Sequence, residues 1–410
     1  MKILGVVAEY NPFHNGHAYH LAKSKEKVDA DLTVAVMSGN FVQRGEPALL
    51  NKWIRSKMAV QNGVDLVLEL PFVFACNNAE IFAKGSISLM ERLGCIDYLN
   101  FGSEEGDIKP LLKIVDFLEP ESDKFSASIR ELTGEGISYP AAREKAISRH
   151  LGHEYGQLLG SPNNILGIEY LKQLKILNSK IKPTTIKRYG ASLNEYDPKT
   201  AIAGATAIRK MIEDKMTDEQ NLNDVLRYLP ELSRHYIGNN IEQISDFESF
   251  GQLLIYSILT KSDKQLNDIY SITEGLENKV RDGAKEASSV HQLINLIKSK
   301  RYTTTRIKRI LIHTLLNLTK STMNKIINEK QMYTRVLAFN NKGATLLKKI
   351  KNEKRAHIPI ITNISKERNL LSSCPDVFNY DILASDVYNL VVGGKVGDNS
   401  EYRQIPAYVK

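Results

Sequence analysis

The chain has only three cysteines in 410 residues, Cys76, Cys95 and Cys374, with no paired spacing, so neither a disulfide framework nor a zinc knuckle is expected. It contains no run near the roughly 18 apolar residues that a membrane span needs, and no charged, then apolar, then small-residue leader. A cytoplasmic protein without a membrane partner is the expectation. Internal repeats and low-complexity tracts are also lacking, which argues against solenoids and long disordered linkers. The remainder is ordinary: 42% hydrophobic and 25% charged residues, in a chain long enough for two or three domains.

Charge is plentiful but unevenly spread. Between Lys298 and Arg355 there are sixteen Lys or Arg against two acids, Glu329 and Glu353, a local net of +14 within a total of +8. The rest of the chain is therefore −6. Such concentration points to a polyanion bound by one part of the molecule while another part does something else.

Apolar runs at Ile3–Ala8, Leu32–Met37, Val64–Leu70 and Ile96–Phe101 alternate with helical periodicity at Ala18–Lys25, Ala48–Gln61 and Ala79–Leu93. Continuous apolar strands are covered on both faces, so this pattern predicts an α/β doubly wound parallel sheet with ligand beyond the strand C-termini. A more polar helical insertion is expected at about 108–156, lying over the site. A helix capped by Ser161-Pro162-Asn163-Asn164 and a strand over Lys182–Arg188 follow. The expected division is a catalytic domain over 1–215, a mostly helical basic domain over 216–355, and a small C-terminal segment over 356–410 whose fold the sequence leaves open.

The chemistry concentrates in Ala8–His20, AEYNPFHNGHAYH, where a strand runs through an Asn11-Pro12 turn into a helix start. His14 and His17, as donors at a helix N-terminus, suit stabilisation of charge that develops on a transferring phosphate. Gly16 leaves room for close approach of a nucleotide. The bland alternative is a pair of capping histidines. A metal site on His14, His17 and His20 is disfavoured, since their spacing spreads them round about a third of the helix circumference; no metal ligand set is expected, and His20 reads as a supporting or packing residue. Arg44, in the loop after the second strand, and Lys52 and Arg55, on the helix behind it, could hold pyrophosphate or an acidic substrate. Thr206 and Arg209 begin a second helix and suit β- and γ-phosphate oxygens. In the basic block, Lys300, Arg301, Arg306, Lys308 and Arg309 interleave with Tyr302 and threonines, a pattern fitted to phosphate contacts and base stacking on a structured RNA.

These elements resemble the HIGH-motif nucleotidyltransferases, whose core is a Rossmann-like sheet. More narrowly, EYNPFHNGH, SGNFVQRGEPA, DLVLELP, FGSEEGDI, SPNNILGIEYL and the KRYT element resemble the bacterial tRNA(Met) cytidine acetate ligase family. The resemblance implies that acetate and ATP, with Mg2+ accompanying the triphosphate, give acetyl-adenylate. The acetyl group then passes to N4 of the wobble cytidine of elongator tRNA(Met); no stable protein partner is implied. The implied ATP site comprises Val7, Ala8, Glu9, Tyr10, Asn11, Pro12, Phe13, His14, Asn15, Gly16, His17 and His20, with Gly102, Asn163 and Arg188, to which Thr206 and Arg209 add phosphate contacts. Where the superfamily often has serine before the threonine, this chain has Ala205. No side chain stands out as a base for the amine proton. Two competing readings are an adenylyltransferase acting on a small phosphorylated molecule, which would not need the basic block, and a non-catalytic RNA-binding protein, which would not need the histidines.

Overall fold

The computed structural model describes residues 1–188, 196–197, 202–215, 224–273, 275–299, 302–393 and 400–410. Its strands are β1 (Ile3–Ala8), β2 (Leu32–Ser38), the hairpin pair β3 (Phe41–Val42) and β4 (Glu46–Pro47), β5 (Leu66–Leu70), β6 (Tyr98–Ser103) and β7 (Lys182–Lys187). A second small hairpin, β8 (Tyr196–Asp197) with β9 (Ile202–Ala203), precedes β10 (Thr334–Phe339), β11 (Ile360–Ile361) and β12 (Ala407–Tyr408).

The main sheet runs in the order β11-β10-β5-β2-β1-β6-β7. From β5 to β7 every pair is parallel. Strand order reverses beside β1: the chain moves out through β2 and β5, then returns to the other side of β1 with β6. That reversal opens a crevice at the C-terminal ends of β1 and β6.

Alternation within the strands explains the layers. On β2, Val34 and Val36 face a core shared with helices Ala79–Leu93 and Pro162–Ile176, whereas Ala35 and Met37 face one shared with α1 (Asn15–Val28) and α2 (Lys52–Gln61). Both sides are dry, as an all-apolar strand demands.

Two features differ from the sequence reading. First, β10 lies inside the stretch expected to be helical, and pairs antiparallel with β5. A short buried run such as Val336-Leu337-Ala338-Phe339 carries no period that separates strand from helix. Its partners β11 and β12 come from the last segment, so residues beyond 356 complete the sheet edge. The expected boundaries at 215/216 and 355/356 consequently do not separate independent cores: the Phe41 ring meets Phe250 at 5.8 Å and Tyr388 at 6.2 Å. Second, the insertion is helical, running from Ile108–Leu118 to His153–Leu158, but it packs against helix Pro162–Ile176 and contributes no residue to the crevice lining. No helix among the described residues is long and apolar enough to cross a membrane.

Candidate active site at the strand switch

The crevice is built from the β1–α1 loop upward. Tyr10 has φ +46°, a left-handed conformation that costs a tyrosine on the order of 1–3 kcal/mol. Its ring is wedged against Phe13 at 4.7 Å and His17 at 5.1 Å. The Asn11–Pro12 bond is cis. Asn11 Oδ1 accepts from Leu49 N–H at 2.7 Å, and the Asn11 carbonyl accepts from Arg209 at 2.9 Å. Asn15 N–H donates to the Tyr228 carbonyl at 2.9 Å. Asn11, Pro12, Phe13 and Asn15 therefore shape the loop and do not line the crevice, whereas Val7, Ala8, Glu9, Tyr10, His14, Gly16, His17 and His20 do.

The two histidines form a unit. Their rings stack at 3.7 Å, and His14 N–H donates to His17 Nδ1 at 3.3 Å. Because Nδ1 accepts, the ring hydrogen of a neutral His17 sits on Nε2. The capping role and the donor role are thus compatible. His14 Nδ1 is buried with no partner among the described residues, a valence that a bound ligand can fill. A Cβ on Gly16 would lie 2.9 Å from His14 Cε1, so glycine here makes room for the His14 ring. Burial, reinforced by Arg188 and Arg209, pulls His14 down to about 3. Burial, then His14 and Arg188, holds His17 well below its usual range, and burial lowers His20 to about 4. All three are neutral donors at physiological pH, and nearby cations leave room for anion charge.

Those cations come from a helix, a hairpin and the end of β7. Arg209 is buried and splits its guanidinium between the Asn11 carbonyl and Glu46 Oε2 at 3.0 Å. Arg44, at the β3–β4 turn, reaches Thr206 Oγ1 at 3.4 Å. All three of Arg44, Thr206 and Arg209 line the crevice. Opposite them, Gly102 lies beneath Arg188, with only 3.2 Å from a built Cβ to Arg188 Cγ. Asn163 donates to Glu104 at 2.6 Å, locking the β6 turn to the start of helix Pro162–Ile176.

Lys52 and Arg55 do not belong to this set. Lys52 Nζ is buried between Glu69 at 2.8 Å and Glu401 at 2.9 Å. Burial opposes its charge, but Glu401 and Glu69 outweigh it and hold its pKa above the usual value. Arg55 spends its guanidinium on the Leu50, Glu9, Ser38 and Gly39 carbonyls. Both are scaffolding, on the inward face of a helix whose charges the sequence suggested were aimed at ligand.

The basic block is also partly inward. Lys300 and Arg301 lie outside the described residues. On helix Thr304–Leu315, Lys308 pairs with Glu46 at 2.5 Å, Arg309 donates to the Gln43 carbonyl at 3.2 Å, and Arg306 donates to Thr273 at 2.9 Å. Tyr302 is buried under the Arg306 guanidinium at 4.8 Å and offers no free face to a base. The block's exposed cations include Lys298, Lys325, Lys330, Lys348 and Lys351. The three cysteines are buried, which pushes Cys76 and Cys95 up to about 12 and Cys374 to about 11, inert as nucleophiles.

Sequence reasoning missed the wall formed by Phe82, Phe101, Leu166 and Tyr170, together with Gln43. The four apolar or aromatic residues sit at helix or strand positions indistinguishable from core, and Gln43 sits in the β3–β4 turn. Only the small Gly167 hints at it, since a Cβ there would meet the Phe101 ring at 2.4 Å. Among the described residues no three His, Cys, Asp or Glu converge on one point. The donor set suits Mg2+ carried by triphosphate oxygens and water.

Comparison with known proteins places this geometry. The HIGH Nucleotidyl Transferase family matches residues 1–403. A tRNA(Met) cytidine acetate ligase of Thermoanaerobacter sp. is 42% identical over 394 residues, 95% of each chain. That of Clostridium perfringens is 40% identical over 411 residues, 98% of each. Thermotoga maritima TmcAL, crystallised with alpha-thio ATP, is 32% identical and superposes with a TM-score of 0.92 over 100% of both chains. Its apo form gives a TM-score of 0.93, also at 32% identity and over 100% of both chains. With a family model spanning residues 1–403, and relatives and solved structures alike from end to end, this chain belongs to the HIGH nucleotidyltransferases and, among them, to the tRNA(Met) cytidine acetate ligase family.

Proposed function

We propose that this protein activates acetate with ATP to acetyl-adenylate and pyrophosphate, then acetylates N4 of the wobble cytidine of elongator tRNA(Met). The observation that carries the reading is the stacked His14–His17 pair at the α1 N-terminus, facing Arg44, Thr206 and Arg209 across one crevice. An acetate oxygen attacks the α-phosphorus in line. Neutral imidazole N–H groups, fixed before the reaction, donate to oxygens on which charge accumulates and need no reorganisation. Arg209, oriented by Glu46, and Arg44 hold the departing pyrophosphate. Mg2+ bound to the triphosphate would neutralise part of its charge.

The cytosine amine is a weak nucleophile because its lone pair is delocalised, so positioning supplies much of the second step. Residues 216–355, whose excess of cations lies between Lys298 and Arg355, hold the tRNA body while the wobble base is splayed into the crevice. A cytoplasmic location follows from that substrate. Purified protein given ATP, Mg2+, labelled acetate and total tRNA is expected to label tRNA(Met) alone. Label confined to a nucleotide-linked small molecule, or ATP left intact, would overturn the reading.

A further inference from the structure

The crevice holds two polar groups that phosphate chemistry does not use. Glu9 projects from the end of β1 into the crevice, where it makes one hydrogen bond, from Gln43 N–H at 3.0 Å, and no ion pair among the described residues. Tyr170, 3% exposed, lines the same crevice, and its hydroxyl has no hydrogen-bond partner among the described residues. Phe82, Phe101 and Leu166 complete that wall. A carboxylate repels a triphosphate, and the Tyr170 hydroxyl is spent on no neighbour among the described residues, so both groups are available to a different ligand.

Their position identifies it. Burial raises the proton affinity of Glu9, and Arg209 and Arg44 are near enough to pull it back. Glu9 therefore stands beside the phosphate cations. Burial and then Glu9 itself keep the Tyr170 phenol well above its usual pKa, so it is a donor. Glu9 is also the chain neighbour of Tyr10, whose ring packs on His17 at 5.1 Å, so it borders the α-phosphate held by the histidines. What adjoins that phosphate in acetyl-adenylate, without being phosphate, is the acyl group and its attacker, whereas adenine is a full ribose away. We infer that Glu9 and Tyr170 form the acceptor subsite: the Glu9 carboxylate accepts N4–H of the flipped cytosine, and the Tyr170 hydroxyl donates to N3. An acceptor beside a donor matches the Watson–Crick edge of cytosine, whereas uracil presents O4 and N3–H and mismatches both.

The inference rests on the proposed function and supplies the base that the sequence lacked. N4 attacks the acetyl carbonyl carbon and the N–C bond forms. The tetrahedral centre collapses, the C–O bond to phosphate breaks, and AMP leaves with the electron pair. The N4 proton passes to Glu9 and then to solvent. The charged and titratable groups facing Glu9 are Arg44, Glu46, Arg209, Arg55, Tyr170 and Cys76.

The test separates the two steps. Acetyl-adenylate formation is followed by acetate-dependent pyrophosphate exchange, and transfer by single turnover of enzyme carrying acetyl-adenylate mixed with tRNA(Met). For Glu9→Gln, transfer is expected to fall about 100-fold more than exchange, the span of a general base. For Tyr170→Phe, the excess loss is expected to be roughly tenfold, that of one hydrogen bond. Equal losses in both steps, or a raised KM for ATP as the main effect, would mean that the pair holds adenine and would overturn the inference. So would transfer by Glu9→Gln at the wild-type rate. Wild-type enzyme that forms acetyl-adenylate but never N4-acetylcytidine would overturn the proposed function first, and this subsite with it.

Discussion

Two clusters of polar and charged side chains behave oppositely. In the first, Lys52 and Arg335 share Glu401, Lys52 also holds Glu69, and Trp53 Nε1 donates to Glu401 at 3.1 Å. Each charge there meets its opposite. In the second, around β1 and α1, His14 Nδ1 and the Tyr170 hydroxyl lack partners and Glu9 makes a single hydrogen bond. Lys52, Arg335 and Glu401 are buried in the first, and His14 and Tyr170 in the second. Arg335 Nε in the first cluster is unpartnered as well, so the difference shows that unspent valence marks a site only where it faces a crevice, while burial and charge by themselves do not.

The comparison is broken most forcefully at Lys52. Lys52→Met leaves two buried carboxylates sharing one cation and is expected to cost about 3–5 kcal/mol in urea unfolding. Pyrophosphate exchange per folded molecule should survive, and a large rise in KM for ATP would return Lys52 to the active site. His17→Ala should do the reverse. Losing one preorganised donor is expected to slow exchange by about 10²–10³-fold, while stability changes by no more than the roughly 1 kcal/mol of a lost helix cap. An equal loss of exchange in both variants would erase the distinction.

Protonation sharpens it further. Because the folded state depresses His14 to about 3 and His20 to about 4, the unfolded chain binds more protons below its ordinary histidine pKa of about 6.5. Stability contributed by these neutral rings is present above that value and is lost as pH falls toward 4 and then 3. A bound triphosphate opposes the depression. Titration calorimetry near pH 6 in buffers of different ionisation enthalpy is expected to show net proton uptake on binding a non-hydrolysable ATP analogue, and none if the phosphates avoid the histidines. The smallest effect belongs to Lys308, already paired with Glu46. Lys308→Ala should weaken tRNA(Met) binding by less than about tenfold and lower the salt slope by less than the one unit of a free phosphate contact.

Much of this was legible beforehand. The run Ile3–Ala8 is β1 over those same residues, Ser161 is the N-cap of helix Pro162–Ile176, and the helix expected to open with Thr206 and Arg209 begins at Ala205. Arg44 was legible as a crevice residue because a loop cation has no core to enter. Lys52 and Arg55 were not, because a helix period gives a face but not what lies opposite it. Their partners arrive from Glu401, near the far end of the chain, and from backbone carbonyls that no sequence pattern marks. Tyr302 misled for a similar reason: an aromatic between cations reads as a stacking platform, and here its face is covered by Arg306.

The sequence by itself determined the strands of the parallel core, the helix start that presents His14 and His17, and the uneven charge, since these follow from local apolar runs, capping residues and composition. Tertiary structure alone decided that β10, β11 and β12 finish the sheet edge, that Lys52 and Arg55 are structural and not ligand cations, and that Glu9 and Tyr170 line one crevice. Those outcomes depend on which side chains satisfy one another across long sequence separations. Pairing of that kind is settled only when the layers close.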